Sequence, residues 1–320
     1  MNTTNLNFDK LYEKITNEYL DMKNTKEIIT NAYSKKRLHI SVVLIEFICL
    51  IFISIFFKIL HSSLAAVFTF IMGGIVFFII DILIFAVYPI IMNKKTMYMI
   101  YLDHYKENVV APFIKNYYGT LEYKQTAGIS EYEFKKGEFS CGPDNYTTND
   151  LIIGCTPYGQ SIRIAQISTT TTSTGNGDSG SSFYALFSES ERIQSISEVF
   201  KIRPHHSLIH SILSQDKVQD KVYIHNKDFN LNFNLYSTNI SYAEDLFSEK
   251  LISAIVYIYK KTSFEFELTI KENKTYIQIN NSSLYIDMLK KDGEKNNLIK
   301  FCKYIDFILE LNTLILDAFK

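Results

Sequence analysis

Two apolar runs separated by three residues set the strongest limit on what this chain can fold into. From His39 to Phe57 the only charge is Glu46, and from Leu64 to Met92 the only charge is Asp81. A bilayer core of about 30 Å is crossed by about 20 helical residues. The runs therefore predict two transmembrane helices, spanning about 39–59 and 64–86 within a hairpin at 38–93. The first run begins too far into the chain for a signal peptide, and no small-residue cleavage site follows it. Only His61-Ser62-Ser63 joins the two, so the helices are expected to be antiparallel neighbours. Lys35, Lys36 and Arg37 precede the first run and Lys94 and Lys95 follow the second. Basic flanks stay on the cytoplasmic side, which predicts a multi-pass protein of the inner (cytoplasmic) membrane with both termini cytosolic.

Glu46 and Asp81 are the candidate intramembrane carboxylates. Counted from the turn at Ser62, they lie at depths of about 24 and 28 Å, near the cytosolic side. They could share a proton, as close carboxylates do, or mark an oligomer interface or an ion path. The plainer reading puts both at the inner interface, where water, headgroups and lysines meet their needs, and it is preferred. Gly73-Gly74 offers a close-packing spot for a partner helix, and homo-oligomerisation is left open.

On either side of the hairpin the pattern is helical. Residues 1–37 form a cytosolic juxtamembrane segment, helical over 7–34, with Phe8, Leu11, Ile15, Tyr19 and Met22 on one stripe. Its polar face mixes signs, which favours packing on protein over lying on lipid. Residues 94–120 form a helical stalk with Leu102, Tyr105, Val109, Phe113 and Ile114 on one side and a bend at Pro112.

Residues 121–320 read as a soluble α+β domain built on an antiparallel sheet. Leu151–Ile153 and Ile162–Ile167 flank the turn-like Pro157-Tyr158-Gly159, a hairpin pattern. Residues 168–182 contain no apolar side chain and are expected to be a mobile loop. The alternation of Phe229–Leu235 predicts a strand, and Ser241–Lys260 a helix opened by Ser241 and Glu244. Phe264, Phe266, Leu268 and Ile270 alternate, a turn is expected at Glu272-Asn273, and Tyr276–Ile279 returns. Leu298, Phe301, Ile305, Ile308, Ile315 and Leu316 stripe a closing helix. Strands in pairs with helices between the pairs indicate an α+β class, not a Rossmann-like nucleotide fold.

Composition narrows function further. With 33 basic and 34 acidic side chains, the chain lacks the basic footprint that nucleic-acid binding requires. Cys49, Cys141, Cys155 and Cys302 are scattered without metal-ligand or redox spacing. No phosphate loop, HExxH or nucleophile elbow occurs, and Gly177-Asp178-Ser179-Gly180 lies in the apolar-free loop, where no triad could hold its serine. The one local cluster is His205, His206 and His210. His206 and His210 would share a helical face, but no carboxylate or thiol completes a metal site, so a surface turn is expected. Glu265 and Glu267 share a strand face and read as solubilising. No catalytic residue, cofactor or metal is assigned.

Five stretches resemble a bacterial family known as domain of unknown function 3137. They are Tyr105–Phe113 (YKENVVAPF), Gly128–Phe134 (GISEYEF), Asp150–Gly154 (DLIIG), Phe229–Ser237 (FNLNFNLYS) and the last helix with Leu309-Glu310-Leu311-Asn312. The resemblance covers most of residues 100–316 and departs at Ser182–Arg192 and Tyr242–Leu251. It implies a membrane-tethered bacterial protein with an α+β domain and no established activity.

The leading functional expectation is a non-enzymatic, membrane-anchored interaction module at the cytosolic face, with membrane lipid and a protein as partners. One alternative is a small transport or ion-coupled component using Glu46 and Asp81. Another is an enzyme with a dispersed site.

Overall fold

The computed structural model describes residues 2–17, 98–139, 145–170, 182–205, 220–280 and 293–319. The predicted spans, with Glu46 and Asp81, lie outside these residues, as do 18–34 of the juxtamembrane helix. Among the described residues, no helix is long and apolar enough to cross a membrane. The chain divides into two compact units, Glu13–Val109 and a larger one of Met1–Tyr12 with Val110–Lys320.

Helix α1 (Asn2–Asn17) begins the chain. Residues 98–105 form α2, in which Tyr101, Leu102 and Tyr105 are buried. A π turn at Lys106–Val110 then leads into α3 (Ala111–Tyr118). Pro112 has no amide hydrogen to donate back into the helix, and its ring crowds the preceding turn, so the ladder widens just ahead of it. The sequence predicts a bend at Pro112; the observed feature is this change of hydrogen-bond ladder just ahead of it. Within the larger unit, Phe8 of α1 packs at 4.6 Å from Phe113 of α3, and Lys295 reaches Asp9 at 2.9 Å.

The sheet contains β1 (Leu121–Lys124), β2 (Asn145–Cys155), β3 (Ser161–Thr170), β4 (Ser182–Pro204), β5 (Asp220–Val222), β6 (Phe233–Ser237) and β7 (Phe266–Asn280). Its order is β1-β2-β3-β4-β6-β5, with β7 paired to β4, and every pairing is antiparallel. The hairpin expected around Pro157-Tyr158-Gly159 is the β2–β3 pair, with Gly159 at φ 78°. The loop expected at 168–182 is trimmed at both ends, because Ser168–Thr170 pair with Ser182–Tyr184. Threonines suit a pleated surface even where nothing apolar is present. Residues 171–181 lie outside the described residues.

Strand β7 reverses on itself. The Asn280 amide donates to the Glu265 carbonyl at 3.1 Å, whereas fifteen residues of extended chain would span about 50 Å. The reversal falls at the exposed Glu272 and Asn273, with Glu272 at φ 51°, as the sequence predicts. Strand β4 wraps this hairpin. Its first limb pairs with the returning limb of β7 (Ala185 with Asn280, Glu191 with Lys274), and its second with the outgoing limb (Phe200 with Ile270, Ile202 with Leu268). The outer edges of the two β4 limbs take β3 and β6. The β7 hairpin is therefore wedged between the halves of β4, and irregular register between Glu191 and Phe200 carries β4 around its tip.

Two elements depart from expectation. Phe229–Leu235 is not one strand: α5 (Lys227–Asn232), capped by Asn226, precedes β6. Phe229 and Phe233 are four apart and both buried, a spacing that serves either period. The single helix expected over 241–260 is two, α6 (Ile240–Leu246) and α7 (Glu249–Thr262). Asn239 rather than Ser241 caps the first, and Ser248 caps the second. Small polar side chains offer the backbone an acceptor outside the helix, which stops one helix and starts the next.

The closing helix α8 (Gly293–Ala318) buries the whole predicted stripe. Helices cover one face of the sheet: Tyr259 packs on Phe233 at 4.9 Å, Phe247 on Phe200 at 5.5 Å and Phe307 on Phe266 at 5.3 Å. On the other face Ile129 and Phe134, the latter on the short helix α4 (Glu131–Lys135), close over Ala165, Ile167, Ala185 and Phe187.

Truncating Phe187→Ala is expected to destabilise the full chain by about 3–5 kcal/mol. Glu272→Gly is expected to stabilise it by about 0.5 kcal/mol, by relieving the positive φ. Urea unfolding of both variants, monitored by circular dichroism, checks the pair.

Candidate functional site

The face away from α8 changes character along its width. Beyond the apolar cluster lies a row of charged and polar side chains that are buried on the sheet. Lys201 is 1% exposed, Arg203 4%, Glu189 5% and Glu267 5%. Register explains the grouping: Arg163, Glu189 and Tyr276 lie side by side across β3, β4 and β7, as do Thr269, Lys201 and Tyr236 across β7, β4 and β6.

Two ionic networks occupy this face. In the first, Arg163 Nη2 meets Glu133 at 2.5 Å and Glu189 at 2.8 Å, and Lys274 closes on Glu189. Glu133 belongs to a capping box with Ser130, whose side chain and backbone both bond to it. Burial would raise the Glu133 carboxyl, but the hydrogen bonds from Arg163 and Ser130 outweigh it and hold the group at about 2. In the second network Glu138 receives Lys201 at 2.8 Å and Lys271 at 2.7 Å. Arg203 donates to the Glu138 carbonyl at 2.8 Å, and Thr269 to that of Gly137 at 2.7 Å. Glu138 sits at φ 53°, a strained left-handed conformation for a residue with a side chain. Burial again opposes ionisation, and the two lysines again win, leaving Glu138 below its usual range. Together the networks lash residues 130–138 across the sheet.

A third polar contact ties α3 to α8. The Tyr118 hydroxyl bridges Asp306 Oδ1 at 2.9 Å and the Cys302 carbonyl at 3.1 Å. Burial, with Asp306 beside it, pushes the Cys302 thiol up to about 12, so it stays protonated and unreactive. Cys155 is an exposed free thiol, and Cys49 and Cys141 lie outside the described residues.

The sequence candidates fare unevenly. His205 is exposed and its amide donates to Asn232 O at 2.7 Å, while His206 and His210 lie outside the described residues. Among the described residues, no group of three His, Cys, Asp or Glu could hold a metal ion. Glu265 is exposed as expected, but Glu267 is buried. Both faces of β7 are covered, so alternation does not send its charged residues to solvent. The networks join Glu133, Glu138, Arg163, Glu189, Lys201 and Lys271 from four separate stretches. Only the capping pattern Ser130-x-x-Glu133 carries a local signal for any of them.

Fold and site together define an antiparallel α+β module, helical on one face and ionically strapped on the other. Residues 186–315 match the family model described as Protein of unknown function (DUF3137), so the chain carries a domain of that family over this stretch. The match runs from β4 into α8, and the resembling stretches around Tyr105, Gly128 and Asp150 precede it. Among solved structures, the mycobacterial trehalose monomycolate transport factor A, TtfA, is similar over 62% of this chain and 89% of its own, at 13% identity and a TM-score of 0.38. No curated protein matches the chain.

One carboxylate in each network, Glu133 and Glu138, is depressed in the folded state. Their stabilisation is complete above the ordinary carboxylate range and is lost as pH falls through the folded values, down to about 2 for Glu133. Glu138→Gln is expected to lower stability at pH 7 by about 2 kcal/mol and to flatten the loss between pH 5 and pH 3. Urea midpoints across that range test both effects.

Proposed function

We propose that this is a membrane-anchored interaction module of the inner membrane. In this reading a two-helix hairpin at 38–93 and a helical stalk at 94–120 display the α+β domain of residues 121–320 to the cytosol. Membrane lipid is one partner and a protein the other, without nucleic acid, cofactor or metal, and the reading assigns no reaction.

The observation that carries it is a run of exposed large side chains between the end of β5 and α7, most of them on helices. Tyr223 is 67% exposed, Tyr257 65% and Leu231 54%, with Ile240 and Tyr242 less so. Large apolar and aromatic side chains left in solvent are the usual anchors of protein interfaces. These five fall within one stretch of 35 residues, 223–257. The charged groups of the opposite face are meanwhile engaged in holding the strap, which suits a scaffold better than a reaction centre.

Affinity capture of the full chain from detergent-solubilised native membranes tests the reading against its rival. A partner retained by the wild type and by Glu46→Gln/Asp81→Asn, but reduced at least about tenfold by Leu231→Asp/Tyr257→Asp, is the expected result; such a loss corresponds to about 1.4 kcal/mol. A partner lost only with the carboxylate double variant would move the function into the membrane, to a transport or ion-coupled role of Glu46 and Asp81.

A further inference from the structure

One buried charge is not absorbed by either ionic network. Arg192 lies on β4, two positions beyond Ser190, whose hydroxyl donates to Asn312 of α8 at 2.5 Å. Its side chain is 5% exposed. Nη2 donates to the Glu272 carbonyl at the β7 turn, and the guanidinium stands 4.5 Å from the centre of the Phe319 ring. Nε and Nη1 are buried without an acceptor.

An arginine cannot escape this position by losing its proton. Burial draws its pKa down to about 10, with the Tyr242 phenol as a mitigating neighbour, so the charge persists at neutral pH. Glu191, next to it in sequence, and Glu272, whose carbonyl it bonds, both have exposed side chains.

The guanidinium is not the only unsatisfied group here. Thr275 is the ladder partner of Ser190, two residues before Arg192. Its Oγ1 is buried without a partner, as is the Ser188 hydroxyl on the same face. More than 90% of buried polar groups are normally satisfied. The Arg192 guanidinium, under the Phe319 ring at the end of α8, is the charged member of this set and calls for an anion. Water could satisfy the hydroxyls but would leave the cation uncompensated.

We propose that Arg192 and Thr275 form a seat for a phosphate group beneath the last turns of α8. Nε and Nη1 point away from each other with Nη2 between them on the Glu272 carbonyl, so one anion takes only one of the two. The tetrahedral oxygens of a phosphate leave a further acceptor turned out of the guanidinium plane toward a hydroxyl such as that of Thr275. The Phe319 ring covers the guanidinium from the turn that ends α8, where backbone hydrogen bonds are fewest. Opening that turn would uncover the guanidinium. The phosphate is either free or carried by an anionic lipid headgroup. The seat stands on the orphaned groups and does not depend on the interaction reading above.

Hydrogen exchange of residues 312–319 in the full chain tests the seat. One arm titrates inorganic phosphate at constant ionic strength into protein in a zwitterionic detergent. The other compares nanodiscs of phosphatidylcholine alone with nanodiscs containing phosphatidylglycerol. Exchange in the wild type is expected to slow about tenfold once ligand exceeds its dissociation constant about tenfold. Arg192→Met should fold, since it removes an unpaired buried charge, and should show no slowing. Thr275→Val should need more ligand for the same protection. Slowing by phosphate assigns the seat to a free phosphate, and slowing by phosphatidylglycerol alone assigns it to a headgroup. Equal behaviour of wild type and Arg192→Met in both arms, including an equal general effect of phosphate as a stabilising salt, overturns the proposal.

Discussion

A strand has two hydrogen-bonding edges, and the architecture of this domain follows from how β4 uses them. Each β4 limb gives its outer edge to a neighbour close in sequence, β3 or β6, and its inner edge to the β7 hairpin. Without that hairpin, both inner edges would be open rows of unpaired amides and carbonyls. The hairpin thus joins the β1–β2–β3 side of the sheet to the β6–β5 side. The burial of β7 on both faces is the packing counterpart of this central place.

A continuous sheet lets its two faces take different work. The helical face is closed by aromatic and aliphatic contact, which is non-directional and tolerant of small shifts. The opposite face is closed in part by fixed geometry, with Glu138 reaching two lysines while its own carbonyl receives Arg203. Such pairs add little net stability over an apolar core, and their directionality is what sets where the strap lies. Arg192 differs because its environment among the described residues lacks the matching anion.

Much of this was legible in the sequence where one period dominates. The stripe of α8, the β2–β3 hairpin and the turn at Glu272-Asn273 all follow from spacing alone. Phe229–Leu235 was ambiguous because its two phenylalanines satisfy both periods, and capping by Asn239 and Ser248 divided a helix that periodicity made continuous. Burial of Glu267 was hidden because it depends on β7 lying centrally, a tertiary fact. The same holds for both networks, whose members come from separate stretches. Several residues that carry the family resemblance have local reasons to be as they are. A side chain at Gly128 would strike Thr148 and one at Gly154 would strike the Thr120 carbonyl. Ser130 caps α4, and Asp150 holds a positive φ beside the irregularity in β2.

The wedge also sets an order of events during synthesis. Ala185 cannot meet Asn280 until the ribosome has released residue 280 as well. Through that interval β4 can pair only with β3 on one limb and β6 on the other, each a connection closed over a shorter loop. The two halves are therefore free to form early and separately, and the long-range closure that unites them comes last. Until then the nascent domain carries two exposed inner edges, the feature most prone to mispairing between chains. A chaperone acting on this protein would find its substrate there, in the window between emergence of β6 and emergence of β7.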